Sequence, residues 1–496
     1  MKKTLLIAAL FSIFNFQFSI LRAQQPDAVF RLLRHEWTLN SDGTSDYRYR
    51  HEVQILRNRA LTAYADKGET FVVYNPDIEE VTVNEVYTIQ LDGKRVDMPQ
   101  NAFIHQLPAE CADCGRFNHL RELAMVHTGM EIGCIVVVDY TVHRRHNFLH
   151  ETLPLLRECP VERLEIKVNA PRDMEVRRDL LGEQYLPAGV TKAALLSGDI
   201  ILRNLPQAPR EPFMPENIVP TLRLFNGPVE FSPAVEVESF TAASDAVVKD
   251  FGRDPLANVV SIRNFVLDNI HLNAIHPRHL NYTRATAAEV WNSGCGTATE
   301  KAVLLASILS NEGFSARVMG EQFDQVAVYI DTLEYALDPH HRTSPTLLGK
   351  AIDVEHSGTI NNGEVQATID TLEGGFYRMS IPITTRLNGV SVTIDPKHLP
   401  ATRTMPLQAS MCDITVTTTH LLPKGLKLVG EDVNESYSVP GFGSVEVSLV
   451  QKGSKIVERR RLVLKQSLIS AADYADFRQL MALWYSHSTL MLRGKQ

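Results

Sequence analysis

Cysteine is scarce: the 496 residues hold six, at positions 111, 114, 134, 159, 295 and 412. That is too few for a fold stapled throughout by disulfides. Cys111-Ala112-Asp113-Cys114 is a CxxC pair, but no second pair follows at zinc-ribbon spacing, and no helix pattern places it as a redox motif. In an oxidising compartment a local loop disulfide between these two cysteines is expected. Excess positive charge is also missing. Lys and Arg number 50 against 58 Asp and Glu, a net charge of −8. This balance argues against a nucleic-acid partner and gives no sign of a polybasic membrane surface. Repeats and low-complexity tracts of useful length are absent. After the first residues, no stretch is apolar and long enough to cross a bilayer. What remains is the composition of a globular protein with room for several cores.

The opening residues read as a targeting segment. Lys2 and Lys3 precede an apolar run from Leu5 to Ile20, then Leu21-Arg22-Ala23-Gln24-Gln25. A basic start, a short apolar stretch and a small residue before a polar one describe a signal peptide, with cleavage expected near Ala23. No cysteine stands at the mature start to take a lipid. Its removal takes away three positive charges and no acid, moving the net charge from −8 to −11. The expected destination is outside the cytoplasm: a periplasm, a cell surface or the medium.

Along the mature chain, residues 24–231 read as short strands. His51–Leu56 and Arg163–Val168 alternate, Asp92-Gly93 marks a hairpin, and Cys134 to Val142 is nearly continuous apolar. These features predict a β-sandwich domain. A proline-containing stretch from Pro206 to Pro233 marks a junction. Residues 232–345 then carry helical patterns, beginning at Asp254-Pro255 with an apolar face that includes Val259, Ile262 and Val266. Residues 346–496 return to alternation, as in Val445-Glu446-Val447-Ser448-Leu449. They are expected to end in a helix between Ala471 and Met491, with Tyr474, Phe477, Leu480, Met481 and Trp484 on one face.

The stretch from Trp291 to Gly320 holds the strongest local signals. A turn, Ser293-Gly294-Cys295-Gly296, leads to Thr297, and Glu300 follows at capping-box spacing. Val303, Leu304, Leu305, Ile308 and Leu309 recur at helical spacing, Gly313 stops the helix, and a strand is expected from Ser315 to Met319. A cysteine at such a helix start would have a lowered pKa, because unpaired N–H groups and the helix dipole favour the thiolate.

This segment resembles the transglutaminase-like, papain-like core of exported bacterial proteins, whose pattern runs G-x-C-x-[DE]-K-A-x-L-L. Gly296, Glu300, Lys301, Ala302, Leu304, Leu305 and Gly313 fall in place, over a likeness covering roughly residues 235–345. The resemblance implies a Cys-His-Asp triad, and it puts Ala298 at the nucleophile position and Gln325 at the His position. Asp338, before Pro339, keeps the third place. Alanine and glutamine supply neither thiolate nor base. Cys295 lies three residues upstream of Ala298, about 4.5 Å along the axis if the helix reaches back that far. It is the candidate for a displaced nucleophile, with His340 or His341 as alternative base. The flanking domains resemble domains of unknown function that accompany this core. The fold class expected is therefore α+β: a transglutaminase-like (cysteine-proteinase-like) core between two β-rich domains.

Two other clusters carry less. His271, His276 and His279 lie close in sequence, but an irregular proline-containing loop does not make ligands converge. His150-Glu151 begins like a zinc-protease motif, yet Pro154 occupies the place of the second His. No cofactor and no metal is expected. Three functions stay open at this level: a catalytically inactive module binding a peptide, cell-wall or glycan ligand; a cysteine protease, amidase or acyl transferase using Cys295; and a scaffold.

Overall fold

The structure, a computed structural model, describes residues 26–61, 70–215, 218–227, 240, 252, 254–320, 326–342, 346–347, 350–351, 355–387 and 390–494. The expected signal peptide and Gln325 lie outside these residues. Strand accounts for 44% and helix for 19%. The expected α+β class, centred on a transglutaminase-like core, is thereby corrected: this is a mostly β protein. Period-two alternation governs most of the chain. Helices of seven residues or more number four among the described residues, three of them within residues 255–311.

The chain divides into two compact units. The first takes the chain up to Pro108, with Leu120–Ala208 and Pro220–Asn226. Its main sheet has seven strands: β1 Ala28–Leu39, β2 Ser45–Ile55, β3 Glu79–Ile89, β4 Arg95–Asp97, β5 Ile135–Arg144, β6 Val161–Asn169 and β7 Ile200–Leu205. Their order is β7-β6-β1-β2-β5-β3-β4, with β1 and β6 parallel. Alternation decides which face is buried. Leu33, Trp37, Leu39, Tyr49 and Val53 turn inward, and the intervening Arg34, Glu36, Arg48 and Arg50 form ion pairs across the other face. Two three-stranded sheets complete this unit.

The second unit takes Ala109–His119, Pro209–Val219 and the chain from Gly227. Its helices α1 Pro255–Asn269, α2 Ala287–Ser293 and α3 Ala298–Asn311 are each started by a side-chain cap. Asp254 accepts from Leu256 N, and Thr286–Glu289 and Thr297–Glu300 form reciprocal capping boxes. The interior of α3 is buried from Thr299 to Leu309, so this helix is the axis of its cluster. After Gly313 come strands β8 Ala316–Gly320, β9 Val326–Ile330 and β10 Tyr335–Leu337 in one antiparallel sheet.

Further along lies a five-stranded sheet, formed by β11 Glu355–Gln366, β12 Met411–Leu421, β13 Val433–Val439, β14 Gly443–Lys452 and β15 Lys455–Leu464 in the order β11-β12-β15-β14-β13. Helix α4, Tyr474–Trp484, buries Tyr474, Phe477, Leu480, Met481 and Trp484 in the core that this sheet shares. The helix stops short of Met491, where the sequence pattern had carried it. Leu490 and Leu492 are buried and Met491 exposed, a period-two pattern, so Thr489–Gly494 is a strand. Pro209–Val219 is locked to this part by Glu211. Its carboxylate accepts from Thr404 N and Oγ1, each at 2.8 Å, and from Met405 N at 3.1 Å.

Because α3 is buried nearly all round, truncating its core should be costly. Leu309→Ala should lower the unfolding free energy of the second unit by about 2–5 kcal/mol, read from urea denaturation. A loss below 1 kcal/mol would mean that the helix is not its packing axis.

Candidate functional site

The site is the turn that feeds α3. Helix α2 ends at Ser293, and Gly294 caps it in the left-handed region, with φ of 68°. Cys295 and Gly296 then pair in parallel with His271 and Leu272. Space at Gly296 is tight. A Cβ there would lie 3.1 Å from Val290 Cγ1 and 3.3 Å from both Glu300 Cβ and Oε2. Thr297 caps the helix, so Ala298 is its first residue, half-buried against the core.

Ala109–His119 forms a strap on this turn. Cys114 is disulfide-bonded to Cys295, a residue 181 positions away, with Cα atoms 6.0 Å apart. The two are 1% and 0% exposed. The expected local pairing of Cys111 with Cys114 is thus corrected: Cys114 is bonded across the strap, and Cys111 is buried on its own turn. The spacing of a CxxC pair allows a local bond, but folding brings a third cysteine to the same sulfur. Arg116 donates to Cys295 O at 3.1 Å and to Glu300 Oε1 at 2.8 Å. Asn273 Nδ2 donates to Glu110 O.

Glu300 joins these pieces. It is 2% exposed, a burial that a carboxylate tolerates only when charge and lone pairs are matched. Oε2 accepts from Thr297 N at 2.8 Å, which caps the helix. Oε1 accepts from Ala285 N at 2.7 Å, in the lead-in to α2, and from Arg116 of the strap.

The residues singled out from the sequence are distributed as follows. Cys295 holds its sulfur in the disulfide and presents no thiol. Ala298 is a methyl at the helix start. Asp338 Oδ1 accepts from the backbone N–H groups of His340 at 2.7 Å and His341 at 2.9 Å, and Oδ2 faces His341 Nδ1 at 3.2 Å. His340 is buried. Both its ring nitrogens are buried without a hydrogen-bond partner, and burial pulls its pKa down to about 4, so the ring is neutral at neutral pH.

Two buried cations were not assigned a role from the sequence. Lys301, 3% exposed, donates to Ile270 O at 2.7 Å, and burial lowers its pKa to about 8 against the opposing pull of Asp338 and Asp268. Arg263, 1% exposed, donates to His341 O at 2.9 Å. The strap was also missed. The CxxC motif pointed to its cysteines, but no local pattern names Cys295 as the partner or Arg116 as the clamp.

Beside the strap is an open cleft of about 580 Å³, bordered by Arg116, His119, Arg284, Glu289, Asn292 and Ser293. Its size is in the range of small-ligand sites. The border mixes both charge signs with amide and hydroxyl groups, which suits a neutral, hydrogen-bonding ligand better than a highly charged one.

Removing either half of the buried Arg116–Glu300 pair should be strongly destabilising. Glu300→Ala is expected to cost about 3–5 kcal/mol, and Arg116→Ala plus Glu300→Ala less than the two single losses added, by chemical denaturation. Strict additivity would show that the pair does not act as a unit. Lys301 predicts a pH effect. Its folded pKa of about 8 lies below the ordinary 10.5, so the unfolded chain binds more protons between these values, and stability rises with pH across that window. Lys301→Met should flatten the rise. A profile unchanged by the substitution would remove Lys301 as its source.

Two family models match separate parts of the chain. Residues 41–192 match DUF3857, described as a domain of unknown function with a solved structure, and residues 381–491 match DUF3858, described likewise. No curated protein matches the chain. Among solved structures, the chain is similar to a protein from Parabacteroides distasonis described as a "putative protease". The identity is 22% over 94% of this chain and 99% of that one, with a TM-score of 0.70. A likeness at this identity establishes a shared fold, and with the two domain matches it makes this a multidomain protein built on that fold.

Proposed function

We propose that the protein is an exported, non-catalytic binding protein that holds a peptide, cell-wall or glycan ligand without cutting or cross-linking it. The observation that carries this reading is the chemistry at the start of α3. Ala298 occupies the position that the sequence resemblance gives to a nucleophile, and the sulfur of Cys295 is tied to Cys114 under the strap. An acyl-transfer mechanism needs a thiolate and a base to move its proton. A methyl group and a disulfide offer no thiolate and the Gln325 amide offers no base, which leaves Asp338 with His341 beside it and no thiol at position 298.

The neighbour's description as a "putative protease" would make peptide cleavage the reaction, and the substituted positions weigh against that here. The cleft beside Arg116 is the ligand site on this reading. Its amide, hydroxyl and guanidinium groups can pair with peptide bonds or sugar hydroxyls. Export is supported by the N-terminal sequence pattern, and a buried disulfide suits an oxidising compartment.

The test uses the mature chain from Gln24. Calorimetric titration with soluble muropeptides, short peptides and chito-oligosaccharides should give saturable binding to one class, weakened tenfold or more by Arg284→Glu. Product analysis should find no new amine and no cross-link. Turnover abolished by Cys295→Ser would establish an enzyme instead. Absence of saturable binding to all three classes would sink the binding reading.

A further inference from the structure

Several polar groups of the cleft beside the strap are already committed within the protein. Arg116 directs its guanidinium at Cys295 O and Glu300 Oε1. Ser293 Oγ lies 3.2 Å from Val290 O and 3.1 Å from Cys295 O, and Thr283 Oγ1 donates to Leu280 O at 2.6 Å. Glu289 is committed on one side only. Its Oε2 accepts from Thr286 N at 2.8 Å and from Thr286 Oγ1 at 2.9 Å, which closes the capping box of α2. Among the described residues, Glu289 Oε1 takes no hydrogen bond, and neither does the side-chain amide of Asn292. Both residues are exposed and line the cleft. On α2 they are three positions apart, so they share one face of the helix.

That pair is chemically selective. The hydrogen bonds from Thr286 hold the Glu289 carboxyl below the usual carboxylate range, so it is ionised at neutral pH. An ionised carboxylate only accepts, and its strongest partner is a cationic N–H. The amide beside it both donates and accepts, which matches a peptide unit next to that cation. A sugar offers neutral hydroxyls instead, and it gains from an open aromatic face on which its ring can lie. Phe117, the phenyl ring among the lining residues, is 1% exposed, and the Arg116 guanidinium covers it at 5.0 Å from the ring centroid. The Arg116 charge is answered by Glu300 at 2.8 Å.

We propose that the cleft takes a peptide by its free amino terminus. Glu289 Oε1 accepts from the α-ammonium, and the Asn292 amide pairs with the first peptide unit. The Arg284 guanidinium, also at the cleft, suits carbonyl groups further along the same peptide. The assignment rests on the binding reading and narrows its ligand to one class.

The experiment titrates the mature protein calorimetrically with trialanine amide and with N-acetyltrialanine amide at pH 6. The two differ only in the amine, which is protonated there. The free peptide should bind about fivefold more tightly or better, since its hydrogen bond to Glu289 is charge-assisted, and added salt should narrow the gap because the pair is exposed. Glu289→Gln keeps a capping acceptor for Thr286 and should leave the thermal midpoint in place, yet the two peptides should then bind alike. Asn292→Ala should weaken both. Equal binding of the two peptides to the wild type, or a preference that survives Glu289→Gln, would overturn the proposal. Saturable binding to muropeptides or chito-oligosaccharides alone would overturn it as well and leave the binding reading standing. Silence of all three classes would remove both.

Discussion

A single buried carboxylate ties the candidate site together. Glu300 caps its own helix through Thr297, holds the lead-in to α2 through Ala285 and anchors the strap through Arg116. An acid this buried carries a desolvation cost of several kcal/mol unless each oxygen is matched. Three segments must therefore arrive together before it is satisfied. The tight space at Gly296 has part of its origin here: Glu300 and Val290 crowd the place a Cβ would take. The site is consequently defined by assembly of the strap, the turn and the helix, and none of the three makes it alone.

That assembly bears directly on chemistry. A helix start with unpaired N–H groups favours a thiolate. Here the start of α3 is occupied by its own capping box, its first residue is alanine, and the adjacent cysteine is bonded across the strap. The Asp338 carboxylate receives the backbone of the turn that follows it through one oxygen and faces the His341 ring with the other. Most of these polar groups hold local structure.

Local signals were legible where the physics is local. Both capping boxes follow from a threonine and a glutamate three residues apart, and the stop of α3 from the glycine after it. The alternating strands likewise follow from side-chain parity. Two expectations about secondary structure went astray for the opposite reason. The strength of the helical patterns between residues 255 and 311 drew the fold class toward α+β, although strands dominate the chain as a whole. At the C-terminus the apolar residues after Trp484 fit a helical face or a strand equally well, and burial of Leu490 and Leu492 in a sheet decided for the strand.

The sequence by itself determined the elements around the site, because caps and turns act over a few positions. Only the tertiary structure decided which sulfur meets Cys114, which guanidinium answers Glu300, and that His340 lies buried and neutral. Those outcomes depend on residues as far as 181 positions apart. Their pairing is selected by burial: a charge or a sulfur enclosed in the same interior must find whatever partner the rest of the fold delivers there.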